Sequence, residues 1–70
     1  MSRHHRRLLR RLRAAWSSRG AAVSLRRDPG PDGRWRVSVV PYWSAVDERR
    51  VVALQLALRL TRDHCRMGLP

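Results

Sequence analysis

Three histidines, one cysteine and five carboxylates are the side chains best suited to acid–base, nucleophilic or metal chemistry in this chain of 70 residues. Asp63, His64 and Cys65 stand in a row and offer an acid, a base and a thiol. Consecutive residues on a helix project about 100° apart, so these three do not face one another. His4 and His5 fall on a helix end that is expected to fray, a poor mount for a general base. A zinc site would need His4 and His5 to meet His64 and Cys65, and no Cys-x-x-Cys or His-x₃-His spacing supports that. Asp28 and Asp32 belong to a turn, and no glycine-rich phosphate loop is present. The sequence therefore implies no enzyme, no catalytic residue, no metal and no cofactor, with Cys65 read as a buried, inert thiol.

Charge is the stronger signal. Sixteen basic residues stand against five acidic ones, a formal net charge of +11, and every basic residue is arginine. GC-rich coding explains arginine in place of lysine as well as the bidentate guanidinium does, but it does not explain the excess itself. Such a chain repels itself unless it meets a polyanion, so DNA or RNA is the leading partner. An acidic protein surface is the runner-up.

Two patches could make the contact. Arg3, Arg6, Arg7, Arg10 and Arg13 line one side of a helical pattern, opposite His5, Leu8, Leu9, Leu12, Ala15 and Trp16. That run has one sign and no acidic partners one turn away, so it gains no internal ion-pair support. Arg26, Arg34 and Arg36 alternate with apolar residues and fall on the outer face of a hairpin. Tyr42 and Trp43, in the stretch that follows, are the best-exposed candidates for base stacking or partner contact. A lid over the end of the core is the preferred reading of Trp43. The leucine stripe of the first helix also fits a membrane-surface helix, but the hairpin gives it something to pack on, and a membrane ranks last.

The elements that must carry these residues read as one α+β domain over residues 1–70, in the order α-β-β-α. A basic amphipathic helix covers residues 3–18, and Gly20 supplies a left-handed stop. A β-hairpin covers residues 21–40, with Val23, Leu25, Trp35, Val37 and Val39 on its inner face and the turn at Asp28-Pro29-Gly30-Pro31-Asp32-Gly33. The main amphipathic helix covers residues 45–66, with Ser44 as N-cap and Asp47 at the capping-box position. Val46, Ala53, Leu54, Leu56, Ala57, Leu58, Leu60 and Cys65 give it an apolar arc wider than one small neighbour needs. Pairing with a second copy would cover that surplus and complete the sheet, so a homodimer is expected. Cover by the first helix within one monomer is nearly as good an answer.

One cysteine excludes an intrachain disulfide and suits a reducing, cytoplasmic setting. No apolar run reaches membrane-spanning length. The expected function is a small, non-catalytic nucleic-acid-binding module that grips phosphates with its first helix and outer hairpin face. The alternative is an accessory factor or inhibitor that docks on an acidic protein.

Overall fold

The computed structural model describes residues 2–67; Met1 and residues 68–70, the two ends of the expected domain, lie outside the described residues. The order is α1 (Arg3–Ser17), β1 (Ala22–Arg27), β2 (Trp35–Val40), β3 (Trp43–Asp47) and α2 (Arg50–Arg66). It is a small α+β domain, as the patterning implies, with one strand more than expected.

Helix α1 follows its periodicity. Leu8, Leu9, Leu12 and Trp16 are buried, and the Ser2 hydroxyl accepts the His5 amide at 3.2 Å to cap the first turn. Gly20, at φ 70°, takes the left-handed conformation that turns the chain into β1. β1 and β2 pair antiparallel with Val23 opposite Val39 and Leu25 opposite Val37. Their alternation puts Val37 and Val39 into the core at 0% exposure.

The connection after β2 corrects the sequence reading. Trp43–Asp47 is a third strand, antiparallel to β2, and not a loop leading into a helix at Ala45. Ser44 caps nothing; it faces away from the helices, as does Val46, while Ala45 is buried. Asp47 accepts the Arg49 amide at 2.8 Å, which tightens the turn before α2. The helix then opens at Arg50 with no side-chain cap. The physical reason lies in β2: with β3 on its other side it becomes the central strand, its backbone paired on both sides.

Both helices lie on one face of the sheet and run parallel. Three polar contacts mark their common direction: Arg50 Nε to His5 Nδ1 at 2.9 Å, Trp16 Nε1 to Thr61 Oγ1 at 2.9 Å, and Arg19 Nη2 to Cys65 Sγ at 3.1 Å. Ala53 and Ala57 on α2 are small, fully buried, and share the core with Leu8, Leu9, Leu12 and Leu54. So α1 covers much of the α2 arc within the monomer. It does not cover all of it, because Leu56 stays 37% exposed. Cys65 is exposed, not buried as the sequence suggested, because it sits beside Arg19 at the end of the helix pair.

Candidate nucleic-acid interface

The arginine face of α1 is built by the burial of its opposite side. With Leu8, Leu9, Leu12 and Trp16 fixed in the core, Arg3, Arg6, Arg7, Arg10, Arg11 and Arg13 are all exposed. At 3.6 residues per turn the six fan over about 160° of the helix surface. Arg3, Arg6, Arg7 and Arg10 line one cleft of about 410 Å³, and α1 carries no acidic residue. Helix α2 adds Arg59, Arg62 and Arg66, also exposed, with Asp63 as its one acid. Between the two helices lies a groove in which Arg11 and Arg62 flank Ala14, Ala15, Leu58 and Thr61, so the positive surface continues from one helix to the other. The helical layer thus presents nine exposed arginines and one carboxylate. The 3.6-residue period sets Arg59, Arg62 and Arg66 on one face of the long helix in the sequence as well, but does not by itself assign them to the phosphate contact.

The hairpin arginines are separated. Arg26 and Arg36 do project from the open face of the sheet, which puts them on the side opposite α1. Arg36 is engaged: its Nε and Nη2 donate to the two Asp28 carboxylate oxygens at 3.0 and 3.1 Å. This bidentate bond, followed by the attraction of the two charges, holds Asp28 below the usual carboxylate range and raises Arg36 further. Arg34 lies outside β2, in clefts that it shares with Asp47, Glu48 and Arg49 on one side and Asp32 on the other. The same face carries a cross-strand row of Ser24, Ser38 and Ser44, with Val46 beside Arg36 and the exposed Val40 opposite Ala22. The two expected patches therefore do not merge into one site.

The aromatic rings are occupied by the protein itself. Trp16 is 0% exposed, with Trp43 edge-on at 5.9 Å and His64 at 5.0 Å. Trp43 is half-buried as a lid over this end of the core. Tyr42, 39% exposed, rests 5.1 Å from both Trp16 and His64. Trp35 lies beneath two guanidinium groups, Arg50 at 4.9 Å and Arg27 at 5.8 Å.

His5 stands at the edge of the α1 face and is firmly held. Arginine can only donate, so the bond from Arg50 makes Nδ1 an acceptor and leaves the ring proton on Nε2. Burial, and next the Arg50 charge, push its pKa below the ordinary 6.5. In this tautomer Nε2 can donate to an anion but cannot accept a proton from a substrate.

No family model, curated protein or solved structure matches the chain. Among the described residues no three His, Cys, Asp or Glu side chains gather as a metal site. Among them, too, no helix is long and apolar enough to cross a membrane.

Proposed function

We propose that this chain is a small, non-catalytic nucleic-acid-binding module that grips the phosphate backbone of a duplex with the arginine face of α1. The observation that carries the reading is the Arg3, Arg6, Arg7, Arg10 cleft on a helix without a single acid. Two further features support a duplex over an unpaired strand. The arginines fan to both flanks of α1, which suits a groove with phosphates on two walls, and the rings that could stack on bases already pack against the protein. Arg59, Arg62 and Arg66 extend the surface, while the hairpin face, with Arg36 tied to Asp28, contributes little beyond Arg26. The free thiol of Cys65 suits the cytoplasm.

The test is a salt titration against duplex DNA, duplex RNA and single strands of equal phosphate number. With about five phosphate contacts, the log–log slope on duplex DNA is about −4.5, a loss of about 500-fold between 50 and 200 mM salt. Changing Arg3, Arg7 and Arg10 together to Gln reduces the slope to about −2. Binding that ignores the triple change, or that shows no salt slope, refutes the reading. One observation favours a second reading, docking on an acidic protein: the Arg11–Arg62 groove has an apolar floor of Ala14, Ala15 and Leu58 that a phosphate backbone would not use.

A further inference from the structure

We infer that a second copy of this chain docks along the free edge of β3 and the adjoining stripe of α2, joining two three-stranded sheets into one of six strands. The sheet order β1-β2-β3 leaves two edges, and they differ. β1 carries the exposed Arg26 and Arg27 and packs beside α1, the most basic element of the molecule. Two copies of a chain with net charge +11 cannot approach closely there.

The β3 side is built differently. Val46 of β3 and Val52 of α2 line a cleft of about 440 Å³ whose other walls are Arg34, Arg49, Asp47 and Glu48. From Val52 the helical spacing continues the stripe through Leu56, which is 37% exposed, to Arg59 and Asp63. Asp47, Glu48 and Asp63 are three of the five acids in the chain. Against Arg34, Arg49 and Arg59 they leave this strip electrically balanced, unlike the rest of the surface. Its charges are also ordered. Helix α2 runs antiparallel to β3, so the Asp47–Arg49 end of the strand lies by the start of α2, while Tyr42 before β3 meets His64 near its end. A two-fold axis across the β3 edge would set the Asp47, Glu48, Arg34 and Arg49 end of one copy against Arg59 and Asp63 of the other. Acid then meets arginine at both ends.

Area fixes how much of the strip must take part. An ordinary stable interface takes about 800 Å² from each partner, about a sixth of the 5077 Å² surface of this domain. A five-residue strand edge cannot supply that, so the α2 stripe must be included, with Leu56 as its apolar anchor.

Sedimentation equilibrium of the full chain without nucleic acid, from low micromolar to near-millimolar concentration, tests this independently of the proposed function. The mass should rise from 8.2 kDa to twice that value. Leu56→Arg, and separately Glu48→Arg combined with Asp63→Arg, should each weaken the dimer at least tenfold, with far-UV circular dichroism unchanged and Tm unchanged at dilutions where the wild-type chain is monomeric. Ala22→Arg, on the β1 edge, should leave it intact. A wild-type chain that stays monomeric throughout overturns the inference. So does a Leu56→Arg variant that associates as tightly as wild type, or an Ala22→Arg variant that comes apart.

Discussion

Thr61→Val should expose how the two helices are locked together. Trp16 is 0% exposed and its Nε1 proton is taken by the Thr61 hydroxyl at 2.9 Å, while that hydroxyl donates to the Ala57 carbonyl at 2.8 Å. Valine keeps the shape of threonine but offers no acceptor, so the buried indole N–H is stranded at a cost of about 1–3 kcal/mol. The added methyl returns somewhat under about 1 kcal/mol of apolar burial. The net loss is about 1–2 kcal/mol in a domain whose whole stability is about 4–10 kcal/mol. At this chain length that lowers Tm by about 5–15 °C. Trp16→Phe destabilises too, through lost volume, but it removes the donor itself. In that background Thr61→Val should cost almost nothing, because the threonine then serves only the Ala57 carbonyl, which is already in the helix. The double-mutant cycle read by urea unfolding should therefore give a coupling of about 1–2 kcal/mol. If the two losses simply add, or if Thr61→Val is neutral alone, the hydrogen bond is not what fixes the helices.

His5 makes stability fall on mild acidification. The unfolded chain protonates this ring near 6.5, whereas burial and Arg50 hold the folded ring lower, so below that value the unfolded state binds more protons and gains. Tm should decline as the pH falls below about 6.5, and His5→Gln should flatten that step while leaving a separate one below 3.8, where Asp28 loses its bond to Arg36. Gly33→Ala should lower the urea midpoint by the equivalent of about 1–3 kcal/mol, because a Cβ there runs into the Asp28 carbonyl and forces the β1–β2 turn open. An unchanged midpoint would mean that the turn yields freely.

The hairpin and the buried face of α1 were legible because each rests on one local rule. Alternation sets Val23, Leu25, Val37 and Val39 inward, and the spacing of Leu8, Leu9, Leu12 and Trp16 sets the helix. β3 was not legible, because Ser44, Asp47 and Glu48 carry helix-start chemistry and five residues are too few to show a period. Only the unmet backbone of β2 demands a strand there. The arginine face of α1 could be read from periodicity, and so could Arg59, Arg62 and Arg66. That these belong to one layer depends on the parallel packing of α1 and α2, which no local pattern states. Arg36 shows the opposite limit: its partner Asp28 is eight residues away and meets it only once the turn has closed.

The core and the candidate interface depend on each other through α1. Fifteen residues carrying a fan of like charges, with Arg3, Arg6 and Arg7 at the positive end of the macrodipole, would hardly hold a helix alone. Packing supplies what propensity does not. Four buried side chains and the contacts from His5, Trp16 and Arg19 to α2 hold it along its whole length. The arginines are then displayed on a rigid rod before any ligand arrives, so binding need not spend free energy on ordering the backbone. This gives core substitutions and arginine substitutions different signatures. Loosening the Trp16–Thr61 contact should lower Tm and weaken duplex binding while keeping the salt slope, since the number of charges is unchanged, whereas removing arginines lowers the slope and, by relieving like-charge repulsion, does not lower Tm. A core variant that altered the slope as strongly as the Arg3, Arg7, Arg10 triple change would show that α1 does not act as a preformed element.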